Sequence, residues 1–210
     1  MGSYHGKMKK ILIFGNGKLH KTFLQEIHEG DYVIGVDRAA YWLLRNGVTP
    51  DAAIGDFDST TKKEMSSIRK SIRIVKEYPS EKNWTDMELA MKYADTLETS
   101  EVYIFGATGT RLDHTLATLH LLDTHIVIDK TNRIRVVGRG KTVIEKASYR
   151  YISILPYTKI ISFSLSGFRY DVPKTKLVRN SSRGISNEIL GKEATIDITA
   201  GKAWVIESND

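Results

Sequence analysis

The residues best placed to do chemistry are the two carboxylates of Gly55-Asp56-Phe57-Asp58-Ser59, which follow the apolar run Ala52-Ala53-Ile54. In an extended backbone, residues i and i+2 project to the same side. Asp56 and Asp58 therefore read as a like-charged pair at the end of a strand. Such a pair repels unless a cation neutralises it, and a hard divalent ion with oxygen ligands, Mg²⁺ in particular, does so and brings phosphates with it. A plainer reading stands beside this one. Thr61 and Glu64 have capping-box spacing for a helix running to about Lys70, and acids near a helix start favour its positive end.

Three other polar clusters follow strand-like runs. Asp37-Arg38 closes Tyr32-Val33-Ile34-Gly35-Val36, Lys82 and Asp86 follow Ile72-Arg73-Ile74-Val75, and Gly106-Ala107-Thr108-Gly109-Thr110-Arg111-Leu112-Asp113-His114 follows Glu101–Phe105. In the last, glycines permit close backbone approach, helix-start amides favour anions, Arg111 offers a planar donor fork for phosphate, and Asp113 could join a metal site. Each cluster also has an ordinary reading: a turn-forming Asp37, a solvated Lys82, a first-turn Asp86, and a glycine turn in which Asp113 caps a helix beside an unremarkable His114. Their coincidence at strand ends favours a ligand site, because open α/β sheets bind ligands outside the carboxyl ends of their strands. Carboxylates for a metal and cations for a transferring phosphoryl group are what a triphosphate needs. No Gly-x-x-x-x-Gly-Lys-[Ser/Thr] occurs, which argues against a P-loop kinase. Gly15-Asn16-Gly17 lacks the third glycine of a dinucleotide fingerprint and reads as a tight turn at the rim.

The elements that must hold these residues alternate in period. Strands are predicted at Lys10–Gly15, 32–37, 52–54, 72–75, 101–106 and 126–128. Helices are predicted from Leu19 to Ile27, through Tyr41–Leu44 to a stop at Asn46-Gly47, from Thr85 to Leu97 with Thr85 and Glu88 as a capping box, and from Leu112 to Leu122. This pattern predicts a mostly parallel sheet with helices on both faces. After Asp129 the helical period disappears. Arg133–Val137 and Lys141–Ile144 flank Gly138-Arg139-Gly140 as in a hairpin. Short strands follow at 149–155, 160–165, 176–178, 193–198 and 203–206, the pattern of an antiparallel sandwich. The expected organisation is an N-terminal α/β domain over residues 8–130 and a C-terminal β-sandwich domain over 131–210. Residues 1–7 read as an expression scar.

With 210 residues the chain can bury a substantial core. The absence of cysteine excludes disulfides, thiolate metal sites and cysteine nucleophiles. No run has the length and apolarity of a membrane span and no secretory signal is evident, so no membrane partner and a cytoplasmic setting are expected. The net charge of +6 comes from scattered residues, without a basic tract or regular aromatic interleaving. A polyphosphate partner fits that pattern better than nucleic acid.

Taken in order, the motifs resemble those of the thiamine pyrophosphokinase (thiamine diphosphokinase) family in its bacterial form. The segments that carry the resemblance are Gly35–Ala40, Gly47-Val48-Thr49-Pro50-Asp51 leading to Gly55–Ser59, Pro79–Asp86, Gly109–His114, Gly184-Ile185-Ser186-Asn187-Glu188 and Gly201-Lys202-Ala203-Trp204. The resemblance implies an enzyme that moves the terminal diphosphate of ATP to the hydroxyl of thiamine. It implies an ATP-binding catalytic α/β domain, a thiamine-binding β-sandwich, and a homodimer whose active site is shared between subunits. Carried onto this chain, Asp56, Asp58, Asp86 and Asp113 form the Mg²⁺-linked set. Asp58, Asp86 and Arg111 are the catalytic candidates. Asp37, Ser59, Lys82, Arg111 and His114 attend ATP, while Ser186, Asn187 and Trp204 attend thiamine. Without the resemblance, Ser186-Asn187 reads as a turn between strands. The chain departs from the family's usual pattern at Arg38-Ala39-Ala40, Asn83 and Thr110. The rival readings are a Mg²⁺-dependent nucleotide phosphohydrolase and a non-catalytic nucleotide-binding module.

Overall fold

The structure is a computed structural model that describes residues 10–81, 83–97 and 101–210. Residues 1–7, read above as an expression scar, and Lys82 lie outside the described residues. The chain forms two compact units. One runs to Leu121 and takes in Val127–Asp129; the other holds Leu122–Ile126 and Lys130–Asp210.

The first unit is α/β, as the alternating periods predict. Strands β1 (Ile11–Phe14), β2 (Tyr32–Val36), β3 (Ala52–Gly55), β4 (Ile74–Glu77), β5 (Val102–Phe105) and β6 (Ile126–Ile128) are joined mainly through helices. These are α1 (Arg38–Arg45), α2 (Lys62–Ser71), α3 (Asp86–Asp95) and α4 (Leu112–His120). The sheet order is β4-β3-β2-β1-β5-β6, with β1 parallel to both β2 and β5. The first four strands step one way across the sheet from β1, and β5 then returns to its other side. The chain thus leaves β1 toward β2 and β5 toward β6, in opposite directions, and the sheet's switch point lies between β1 and β5, where this architecture leaves a ligand crevice.

The strands are short, apolar and largely buried because helices cover both faces. Phe14, Phe23, Leu43 and Phe105 build one cluster, and Ala40, Phe57, Ile68 and Ile72 another. Two sequence expectations shift. The predicted helix over 19–27 is a 3-10 turn, Lys21–Glu26, with no side-chain cap at His20 and an extended Ile27 closing it. The fourth strand starts two residues later than its apolar run suggests, because Ile72 ends α2 and is buried in the second cluster.

The second unit is an antiparallel sandwich. Strands β7 (Asn132–Val137), β13 (Ala203–Ser208) and β9 (Tyr151–Pro156) lie side by side. Facing them is a sheet in the order β11 (Val172–Val178), β10 (Ile160–Ser166), β12 (Glu193–Ala200), β8 (Gly140–Glu145). Alternate residues of both sheets, among them Ile152, Ile154 and Val205 against Ile161, Phe163 and Ile196, form one core. The expected hairpin across Gly138-Arg139-Gly140 is not made. β7 pairs with β13 and β8 with β12, so this turn hands the chain from one sheet to the other. The turn signal is local, whereas the strand partners are set by distant core residues. Among the described residues no helix is long and apolar enough to cross a membrane.

Candidate active site

Asp37, Asp56 and Asp86 come from three different strand-to-helix connections, yet each offers a carboxylate oxygen within 4.8 Å of the others. Acids at helix starts are often consumed as caps, and here other residues take that duty. At α2, Thr61 Oγ1 accepts the Glu64 backbone N–H, while Glu64 Oε2 accepts the Thr61 N–H at 2.9 Å. At α3, Thr85 accepts the Glu88 N–H. At α1, Asp37 occupies the cap position without capping, and Asn16 from the loop after β1 accepts the Ala39 N–H at 2.8 Å. The Asn16 amide also donates to Asp37 Oδ2 at 3.4 Å.

Backbone strain marks both units, twice beside this acid group and once in the sandwich. Among the described residues, the non-glycines with positive φ are Asp37 (46°), Phe57 (57°) and Ser186 (57°), all at or beside candidate functional positions. Asp37 is buried, and its Oδ1 accepts the Phe57 N–H at 3.2 Å. The Phe57 turn drives its ring into the core cluster that contains Ala40 and Ile68.

That turn also corrects the extended-strand argument for Asp56 and Asp58. With φ positive at Phe57 the backbone is not extended there, and the two acids are not presented as neighbours on one strand face. Instead the Asp58 N–H donates to Asp56 Oδ1 at 3.1 Å, and Asp58 is exposed outside the three-acid group. Asp113 also stands outside it, because Arg111 donates to both its oxygens, at 3.0 and 2.6 Å. This guanidinium, ahead of a backbone N–H, holds the Asp113 carboxyl well below the usual range. The group gains Asp37, which the sequence reading set beside the nucleotide.

A cavity of 270 Å³ opens at the switch point. Asn16, Asp37, Asp86, Arg111 and His114 line it, together with backbone from the loops after β1 and β5. Those two loops are tied directly: the Gly17 N–H donates to Gly106 O at 2.8 Å and the Lys18 N–H to Thr108 O at 2.7 Å. Ser59 is exposed and does not line the cavity, and Lys82 lies outside the described residues. Asn16 is the residue that sequence reasoning missed in this role. Its only signal was a polar side chain between two glycines after a buried strand.

The donor set suits a hard divalent ion. Mg²⁺ takes oxygens at about 2.1 Å, so adjacent ligands stand about 3 Å apart and opposite ones about 4.2 Å, and the three carboxylates would have to draw closer together to share one ion. Arg111, which also lines the cavity, carries a planar donor fork of the kind that binds phosphate oxygens.

Two family models match the chain: "Thiamin pyrophosphokinase, catalytic domain" over residues 23–137 and "Thiamin pyrophosphokinase, vitamin B1 binding domain" over 141–203. A thiamine pyrophosphokinase of Bacillus subtilis (strain 168) is 37% identical over 186 residues, covering 84% of this chain and 87% of its own. The chain belongs to the thiamine pyrophosphokinase family. As a member it is an enzyme. Solved structures agree: the Bacillus subtilis thiamine pyrophosphokinase superposes with a TM-score of 0.88 at 33% identity, covering 96% of this chain and 100% of that one. The protein from Geobacillus thermodenitrificans gives 0.87 at 30% identity, covering 96% and 98%. Yeast thiamin pyrophosphokinase, at 17% identity and a TM-score of 0.77, shares the fold.

The three residues the family resemblance assigns to thiamine lie in the second unit. The segment 184–187 runs along β9 rather than forming a free turn: the Ile154 N–H donates to Gly184 O, and Ile152 and Asn187 exchange backbone hydrogen bonds. Asn187 is buried. Its Oδ1 accepts the Tyr170 N–H and its Nδ2 donates to Tyr170 O, so this amide holds the chain at Tyr170. Ser186, strained and exposed, is anchored by its N–H to Ser153 Oγ at 3.0 Å. Trp204 is half-buried and packs edge-on against Tyr157.

Proposed function

We propose that the protein moves the terminal diphosphate of ATP to the hydroxyl of thiamine, yielding thiamine diphosphate and AMP in a Mg²⁺-dependent reaction. The observation that carries this reading is the convergence of Asp37, Asp56 and Asp86, two of which, Asp37 and Asp86, line the switch-point cavity, within the segment that matches the catalytic-domain model.

In this reading the three acids would hold Mg²⁺, which would supply charge neutralisation for the phosphates. Arg111 leaves Asp113 for the transferred group; both partners are exposed, so the pair is readily exchanged for a phosphate. Ser59 and, as the resemblance implies, Lys82 attend the triphosphate. The amides of the loops after β1 and β5 and the start of α4 favour its negative charge. The thiamine hydroxyl attacks the β-phosphorus in line, the bond to the α-phosphate oxygen breaks, and AMP departs. Asp58, whose N–H is bonded to Asp56, and Asp86 are the two candidates for accepting the hydroxyl proton. Ser186, Asn187 and Trp204 attend thiamine, with Asn187 bonded to the backbone of Tyr170. A homodimer with a shared site and a cytoplasmic setting belong to the same proposal.

The test is turnover of the purified protein with ATP, Mg²⁺ and thiamine, with the nucleotides resolved. AMP appearing one-for-one with thiamine diphosphate is the expected result. ADP, or phosphate released without thiamine, would favour a nucleotide phosphohydrolase. Nucleotide binding with no turnover would favour a binding module. Sedimentation of the active species tests the dimer.

A further inference from the structure

The Asp37-Arg38 dipeptide grips the loop after β3 at two points. Asp37 Oδ1 accepts the Phe57 N–H, and one residue along, Arg38 donates through Nε and a terminal nitrogen to Glu64 Oε1, at 3.1 and 2.9 Å. Glu64 is buried, and its second oxygen takes the Thr61 N–H at 2.9 Å and the Thr61 hydroxyl at 3.0 Å. Residues 57–64 are thus fixed at Phe57 by a hydrogen bond and by its buried ring. At Thr61 and Glu64 they are fixed by a capping box that is itself bonded to α1. Asp56 lies immediately before this braced stretch. The Arg38 side chain is more exposed than its partner, so the link depends on Glu64 being held in place by its cap.

We infer that Arg38 is a positioning residue which, through Glu64 and Thr61, sets the placement of Asp56 against Asp37 and thereby the ion affinity of the acid group. This rests on the proposed reading of Asp37, Asp56 and Asp86 as ion ligands. Partners behind a ligand fix its orientation, and their loss typically weakens metal binding about 10- to 100-fold. Arg38 acts through two intermediate residues, so an effect near the lower end is expected.

The test is direct titration of Mn²⁺ into the protein by electron paramagnetic resonance, without turnover, alongside thermal unfolding. Arg38→Met keeps the apolar stem and removes the donors. Glu64→Gln keeps a side chain that a capping box accepts but loses the charge that holds Arg38. Each should raise the Mn²⁺ dissociation constant about tenfold. The double variant should be no worse than either single one, because both remove the same link. Unchanged affinity in folded single variants, or effects that multiply in the double variant, would overturn the brace. A drop in melting temperature alone would also overturn it, since a purely structural pair lowers stability without touching affinity. Wild-type protein that binds no Mn²⁺ would instead remove the ion-site reading, and the brace with it.

Discussion

Gly55→Ala tests the geometry of the site with a single methyl group. A Cβ at position 55 would stand 2.6 Å from Asp37 Cγ and closer still to Oδ1, whereas ordinary contact begins at 3.4 Å. The carboxylate must therefore retreat by about 0.8 Å at Cγ, and further at the oxygen. The retreat removes the acceptor of the Phe57 N–H and carries Asp37 away from Asp56 and Asp86. Stranding a buried N–H costs roughly 1–3 kcal/mol, and the positive φ of Gly55, +155°, adds backbone strain to it. Misplacing a reacting constellation by about 1 Å costs about 10²-fold in rate. Urea unfolding and the AMP-forming assay measure the two effects separately. Gly47→Ala is the control. Its φ of +81° makes alanine strained, at roughly 1–2 kcal/mol, but nothing lies within 4 Å of the new methyl. The control should lose stability and keep full activity. A Gly55→Ala enzyme that keeps wild-type activity and Mn²⁺ affinity would refute the placement of Asp37 in the site.

Other substitutions divide the remaining roles. Asp113→Asn should leave Mn²⁺ affinity unchanged while altering the KM for ATP, because Asp113 holds Arg111 and stands outside the acid group; Asp86→Asn should abolish Mn²⁺ binding. Equal losses of Mn²⁺ affinity in both would return Asp113 to the ion site. The Glu64 carboxyl is held below its ordinary value first by the Thr61 N–H and then by Arg38. Its ionised form is thus favoured on folding, and the stabilisation is complete above the ordinary glutamate value of about 4.3 and lost as pH falls through the lowered one. Glu64→Gln should therefore flatten the acid limb of a stability–pH curve below about pH 4, and an unchanged limb would contradict that assignment.

Much of the protein was legible along the chain. Alternating periods predicted a mostly parallel α/β unit followed by an antiparallel sandwich, because each period reports which face of a local element is buried. Strand-end acids marked the right side of the sheet, since helix starts and turns are written in neighbouring residues. Partners were not legible. The predicted hairpin at Gly138-Arg139-Gly140 joined two sheets instead, since turn chemistry does not name a strand's neighbour.

The site divides in the same way. Carboxylates and an arginine at strand ends can be read from residue types and local periods. Which of them meet depends on how the strands are ordered and the loops turned. The order β2-β1-β5 put Asn16 and Asp37 beside the loop of Arg111, and with a positive φ at Phe57 the Asp58 carboxylate stayed outside the acid group that Asp56 joins. Capping by Asn16, Thr61 and Thr85 left Asp37, Asp56 and Asp86 to face one another. Convergence of groups tens of residues apart depends on strand order and on single backbone dihedrals. Neither is encoded in the local pattern that a sequence displays.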